Sequence, residues 1–281
     1  MTSSADTCSE NQFCRLCGGP TTQSFTATIL LKRRIAYFKC QHCESLQSQL
    51  PDWLDEAYGT NLADIDTGAA QRNWNNLAIV FHVCKLFDLV NVLDYGAGDG
   101  LLCRLLRDYG INAFGFDKHA KLTYAKGFEA DDLTQPEIIV AFEVLEHFDQ
   151  PSSQLGELFE RSARLVLVST ELYAGQGADW RYLMPTSGQH VFFYSRKALE
   201  DFARFKGYTA HFYGQYTLFT QNNFYLDKAV SGYRSLMLSL LLNRYGLQLF
   251  RLLMVARRPT GVEADFQRLI SQIQSKPKRK E

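Results

Sequence analysis

The chain has 281 residues, of which 46% are hydrophobic and 21% charged, enough to bury one substantial core and a small accessory module. Thirty basic residues balance thirty acidic ones, so no overall field gathers nucleic acid or an anionic surface, and the one basic run is the tail Lys276-Pro277-Lys278-Arg279-Lys280. The segment from Met1 to Asn11 is polar and unlike a secretory leader. No stretch stays apolar for the ~18 residues of a membrane span, so the expected address is the cytoplasm and the expected partner a small molecule, with oligomeric state left open.

Four of the seven cysteines form two identical knuckles, Cys14-Arg15-Leu16-Cys17 and Cys40-Gln41-His42-Cys43. Two such pairs can present four thiolates to one tetrahedral zinc, whose binding energy folds a segment too small for its own core. A redox or disulfide reading is weaker, because two knuckles are more than a thioredoxin-type motif needs. Cys8, Cys84 and Cys103 fall outside the pattern, and the last two read as small buried hydrophobes. Between the knuckles, Ser24 to Thr28 and Ile35 to Phe38 predict short strands, giving a ribbon-like four-cysteine zinc module over 12–48. A connector and leading helix occupy 49–90, with Trp74, Leu77, Ala78, Phe81, Val83, Cys84 and Phe87 at helical spacing.

From residue 91 to about 260 the pattern alternates strand and helix. Helices are predicted at Leu101 to Tyr109, near Ala120 to Lys126, at Ser152 to Arg164 and at Arg196 to Lys206. Strands are predicted at Ala113 to Phe116, Ile138 to Phe142 and Leu165 to Ser169. Tyr208 to Thr220 reads as a strand, Ala229 to Tyr245 as a helix, and Leu247 to Ala256 as a final strand, antiparallel at the sheet edge. The expected architecture is α/β, a Rossmann-like, seven-stranded, doubly wound sheet with its last strand antiparallel, plus the N-terminal zinc module. A C-terminal helix and the basic tail take up 261–281.

The first strand runs into Asp94-Tyr95-Gly96-Ala97-Gly98-Asp99-Gly100, a glycine-rich turn that opens a helix at Leu101. Such a turn lets backbone approach a ligand. A dinucleotide fingerprint needs a small residue where Leu101 stands, which disfavours NAD and flavin. The next strand ends at Asp117, where a carboxylate can accept hydrogen bonds from ribose hydroxyls, or can simply cap the next helix. Asp131 or Asp132, where the third strand should end, can accept from an adenine amino group. The run Phe142-Glu143-Val144-Leu145-Glu146-His147 ends another strand. There His147 can serve as a general base with Glu146 or Glu143 setting its tautomer, or can hold its loop by bonding backbone. Trp180, Tyr182, Gln189, His190 and Tyr194 lie in a later loop, an aromatic and imidazole group fit to stack on a substrate and take a proton, or to pack as a lid. His190 is the first choice of base.

Together the knuckles, Trp53-Leu54 with Ala57-Tyr58, Asp66-Thr67-Gly68 with Arg72-Asn73, D-Y-G-A-G-D-G, A-F-E-V-L-E-H and G-Q-H-V-F-F-Y-S resemble a bacterial group of class I S-adenosylmethionine-dependent methyltransferases carrying an N-terminal zinc module. The resemblance spans about residues 12 to 256 and implies S-adenosylmethionine and a structural Zn2+ as cofactors. It implies that Asp94, Gly96, Ala97, Gly98, Gly100, Asp117 and Asp131 hold the cofactor, that the Phe142 to Glu143 backbone faces its methionine part, and that Arg72 pairs with the methionine carboxylate. Glu146 and His147 would border the acceptor. A sugar or nucleotide-sugar acceptor is the expected substrate. RNA methylation is the alternative within the class, and a non-catalytic methyltransferase-like scaffold is the alternative outside it.

Overall fold

A computed structural model describes residues 13–59, 67–131, 134–222 and 228–275. Cys8, Asp66, Asp132 and the basic tail therefore lie outside the described residues. The chain divides into two compact units, each assembled from separate segments: residues up to 65 with 143–160 and 169–210, and 66–142 with 161–168 and 211–281.

The first unit is built on a small antiparallel sheet. Strands β1 (Thr21–Ile29) and β2 (Arg33–Cys40) form a hairpin, with Thr21 opposite Cys40 and a bulge between Gln23 and Phe25. Strand β3 (Leu46–Ser48) pairs antiparallel with β2. The fourth strand, β8 (Phe192–Phe193), arrives from far along the chain and sets Phe193 opposite Leu46. Ile35 and Tyr37 alternate inward and meet Ile29, Leu46, Trp53, Val191 and Phe193 in one apolar core. This core supplies what the predicted two-stranded ribbon would lack. Helices α1 (Leu54–Gly59), α4 (Pro151–Glu160) and α5 (Arg196–Phe205) complete the unit. Ser195 caps α5 as its sequence position predicts, its Oγ accepting from the Ala198 amide at 2.9 Å.

The second unit opens with α2 (Ala69–Phe87), which leads into β4 (Asn91–Tyr95), α3 (Leu101–Asp108) and β5 (Asn112–Phe116). Then come β6 (Ile138–Phe142), β7 (Leu165–Ser169), β9 (Tyr208–Tyr213) and β10 (Tyr216–Gln221). The sheet order is β5-β4-β6-β7-β10-β9. β4 pairs in parallel with both β5 and β6, so the strand order reverses at β4 and the carboxyl end of that strand is the switch point where open α/β sheets bind ligands. Every residue of β7 is buried, as are Ile138 to Ala141 of β6, as central parallel strands require.

The sheet has six strands among the described residues, against seven expected. The missing strand survives as a stub: Gly115 donates to the Phe128 carbonyl and accepts from the Ala130 amide, one parallel bridge beside β5. The expected short helix before it is a run of bends and a turn over 118–127, in which Leu122 and Ala125 are buried, as is Phe128 just after it.

The two late strands also differ from expectation. Tyr208 to Thr220 is not one strand but the hairpin β9–β10, turned at Gly214-Gln215, a connection short enough only for antiparallel neighbours. The expected strand at Leu247 to Ala256 is helix α7 (Arg244–Val255), which comes after α6 (Lys228–Leu241). A short apolar run reads equally as buried strand or helix, and here burial decides: Leu247 and Met254 are buried and Phe250 packs between them, at spacings of three and four residues. Asn243 caps this helix by accepting from the Tyr245 amide at 2.9 Å. The last helix, α8 (Gly261–Ser275), is anchored by Asp265, whose carboxylate takes both Nε and Nη2 of Arg107 at 2.7 and 2.6 Å.

Candidate functional site

The glycine turn sits at the switch point of the second unit. Gly100 has φ +79° as the N-cap of α3, a left-handed backbone, and a Cβ there would crowd Ala125 and Leu122 at 3.1 Å. The turn satisfies its own amides. Gly96 and Ala97 donate to the Phe116 carbonyl, Gly100 donates to Ala97, and Gly98 donates to Asp117 Oδ2 at 2.8 Å. Asp117 Oδ1 accepts from the amides of His119 and Ala120 at 2.8 and 2.7 Å, so this carboxylate both caps the next bend and ties it to the glycines. An open cleft of about 530 Å³ begins there, lined by Gly115, Phe116 and Asp117 and by Leu122, Lys126 and Glu129.

The other residues expected around the cofactor are placed differently. Asp94 is 4% exposed, and its Oδ2 has no hydrogen-bond partner. Burial pushes its carboxyl up to about 7, while the Cys103 backbone amide works the other way. Its place is beneath the turn rather than in the cleft. Asp131 is exposed, and its Oδ1 accepts from Thr134 Oγ1 at 2.7 Å. Arg72 is exposed on the first turns of α2. Phe142, the last residue of β6, is half-buried edge-on against Tyr216.

The first unit gathers Glu146, His147 and His190. Glu146 and His147 lie on a 3-10 turn, Leu145–His147, and His190 lies two residues before β8. The backbone around His190 is pinned from several directions. The Gly188 carbonyl accepts from Trp53 Nε1 at 2.8 Å, the Gln189 side chain donates to the Ala57 carbonyl at 2.8 Å, and the Val191 amide donates to the Glu146 carbonyl at 2.9 Å. His190 Nδ1 lies 2.7 Å from the Tyr182 carbonyl. A carbonyl only accepts, so Nδ1 carries the proton and Nε2 the lone pair. That lone pair lies 4.0 Å from Glu146 Oε1, and the His147 and His190 rings meet edge to face at 4.9 Å.

Burial governs the charges here. It holds the His190 imidazole down near 4 and pushes the fully buried Glu146 carboxyl up to about 8, with Glu143 adding a like charge. Glu143 itself sits at φ +54°, a strained backbone for a residue with a side chain. Ser169 Oγ donates to its Oε1 at 2.6 Å and accepts from its amide at 3.0 Å. Tyr58 OH, 3.3 Å from His147 Nδ1, is not separable from packing residues by sequence alone. Only the apolar run after Gly188 hints that this loop is buried. Gln189 and Tyr194 of the expected aromatic group bond backbone instead, the latter donating to the Leu145 carbonyl at 3.2 Å.

The four knuckle thiols of the first unit converge. Cys14 and Cys43 Sγ lie 3.6 Å apart, Cys17 and Cys40 Sγ 3.5 Å, and all four within 4.8 Å of one another. Zinc–sulfur bonds of ~2.3 Å in a tetrahedron place sulfurs about 3.8 Å apart, so the cage fits. Backbone amides of His42 and Cys43 point at Cys40 Sγ at 3.3 and 3.4 Å, and a Cβ on Gly19 would meet Cys17 and Cys40 Sγ at 3.3 Å and His42 Cβ at 2.7 Å. Cys84 and Cys103 are buried in the second unit, which raises both thiols to about 12 and suits inert packing.

No curated protein sequence matches the chain. Similar solved structures include magnesium protoporphyrin IX methyltransferase from Synechocystis PCC 6803 with bound SAH, at 16% identity and TM-score 0.42 over 60% of this chain and 93% of that one. Human N-acetylserotonin methyltransferase in complex with SAM matches at 15% identity and TM-score 0.44 over 62% and 60%. The methyltransferase domain of a bacterial Hen1 matches at 23% identity and TM-score 0.38 over 53% and 98%. Similarity at this level adds nothing to the assignment. The family model described as a methyltransferase domain matches residues 44–211, more than half the chain, and the chain therefore belongs to the methyltransferase-domain family.

Proposed function

We propose that the protein is an S-adenosylmethionine-dependent methyltransferase acting on a hydroxyl-bearing small molecule of the sugar or nucleotide-sugar type. The observation that carries this reading is the internal bonding of the glycine turn. With the Gly96, Ala97, Gly98 and Gly100 amides satisfied within the protein, the turn keeps none of these four donors for a pyrophosphate. A ribose suits the Asp117 carboxylate, because Oδ2, which accepts from the Gly98 amide, keeps a lone pair for a hydroxyl. Gly96, Gly98 and Asp117 would hold the cofactor's nucleoside from the cleft at the end of β5, with Asp94 fixing the turn from below. When bound, S-adenosylmethionine supplies an electrophilic sulfonium methyl. The chain's own part is to fix the turn, exclude water and receive the acceptor's proton, for which His190 Nε2 has the lone pair and His147 is the second candidate. The four-cysteine cage would hold a Zn2+ whose closed donor set leaves no position for catalysis, so its role is structural. Residues 12–48 and 91–260 are in this reading the zinc module and the catalytic domain.

The test is calorimetric titration of zinc-loaded protein with S-adenosylhomocysteine, with NAD in parallel. Binding of the first alone, weakened in Asp117→Ala, is the expected result. Binding of NAD, or of neither by folded protein, overturns the reading.

A further inference from the structure

We propose that Glu146, His147 and His190 form a binding site for a first-row divalent cation, separate from the cysteine cage. The three side chains offer ligand atoms within 4.8 Å of one another, with Glu146 Oε1 and His190 Nε2 already at 4.0 Å. Metal bonds of ~2.0–2.2 Å set ligand atoms roughly 3 to 4.3 Å apart, so small side-chain rotations close the site.

Two further observations point to a ligand. Glu146 is 0% exposed and shares its pocket with the Tyr182 and Thr170 hydroxyls and with a second carboxylate, Glu143, a costly place for a buried acid that a cation relieves. His190 is also oriented as metal-bound histidines are, with one ring nitrogen donating to a backbone carbonyl and the other aimed at the shared centre. The Tyr58 hydroxyl at His147 Nδ1 gives the second imidazole a comparable partner.

Two imidazoles and one carboxylate favour Mn2+, Fe2+, Co2+ or Zn2+ over Ca2+ or Mg2+, whereas the four thiols select zinc. Three protein ligands leave coordination positions open. The consequence rests on the methyl-transfer reading: an acceptor hydroxyl occupying an open position releases its proton more readily, to solvent, and the acceptor oxygen is left as the nucleophile. In the cation-bound site His190 Nε2 serves as a ligand in place of the proton-accepting role, and His190→Ala then costs turnover through loss of the cation.

The experiment titrates the zinc-loaded full chain with Mn2+ and follows loss of the free-ion signal by electron paramagnetic resonance. One Mn2+ per chain is expected, with affinity reduced at least about tenfold in both Glu146→Gln and His190→Ala. S-adenosylhomocysteine titration of the same samples shows that the cofactor side is intact. Failure of the folded wild type to retain Mn2+, or retention unchanged in both variants, overturns the site. Mn2+ retention without S-adenosylhomocysteine binding supports the site and overturns the methyl-transfer reading instead.

Discussion

The glycine turn and the acid–imidazole cluster are made by opposite means. The turn is local in sequence and works through backbone: Gly96 to Asp117 lie within one strand–helix–strand passage, and their bonds are amide to carbonyl or carboxylate. The cluster works through side chains drawn from distant segments. It holds His190 in place with Trp53, Ala57, Glu146 and Tyr182, and its strand β8 belongs to the sheet of the N-terminal cysteines. Local backbone geometry tolerates change elsewhere, and a long-range assembly fails when any supporting segment is lost.

The largest effect expected from this contrast is at the cage. Structural zinc in small modules contributes about 10–16 kcal/mol of binding energy. Chelation, or Cys40→Ser, should therefore unfold the β1–β3 sheet and erase the His147 and His190 imidazole resonances in proton NMR. S-adenosylhomocysteine affinity should survive, and its loss alongside would end the contrast. His190→Ala comes next: turnover should fall about 10²–10⁴-fold while cofactor affinity stays within about twofold. A parallel loss of cofactor binding in calorimetry would refute its assigned role.

A third test sharpens the electrostatics beneath the turn. Asp94 ionises near 3.8 in an unfolded chain and near 7 in the native one, so unfolding releases a proton between those values. Its contribution to stability is whole below about pH 4 and is lost as pH rises through about 7, a change of at most roughly 4 kcal/mol. Urea midpoints from pH 4 to 8 should fall in the wild type and fall less in Asp94→Asn, where the raised Glu146 carboxyl still contributes, and parallel curves would show that Asp94 is not the cause. The smallest effect is at the cleft itself. Asp117→Ala should cost about 1–3 kcal/mol of S-adenosylhomocysteine binding, by removing a charged acceptor. An unchanged calorimetric constant would leave Asp117 as a turn cap only.

Legibility in the sequence divides along the same line. The glycine turn, Asp117, the two knuckles and the Ser195 cap are legible because each is a local pattern with a local physical reason. The seventh strand is not, because Phe128 to Ala130 makes one bridge where the alternation of strand and helix implies a full strand. The helix at Arg244–Val255 reads as a strand because a run of Leu, Met and Val suits either structure until its buried face is known. The pairing of β3 with β8, and with it the enclosure of His190, depends on contacts between residues far apart, which no window of sequence contains. Asp265 clasping Arg107 is hidden for the same reason.

The β3–β8 pairing also bears on how the chain acquires its shape during synthesis. Gln47 faces Phe192, so the cysteine-bearing sheet is complete only after the ribosome has made all of the chain between them. Until then β3 presents an open edge and the apolar side chains of Tyr37 and Leu46 have no lid. A zinc ion bound early at Cys14, Cys17, Cys40 and Cys43 would hold the β1–β2 hairpin in register through that interval and keep the edge from pairing with another nascent chain. In that view the metal's service begins in the first moments of the molecule's life, before any substrate arrives.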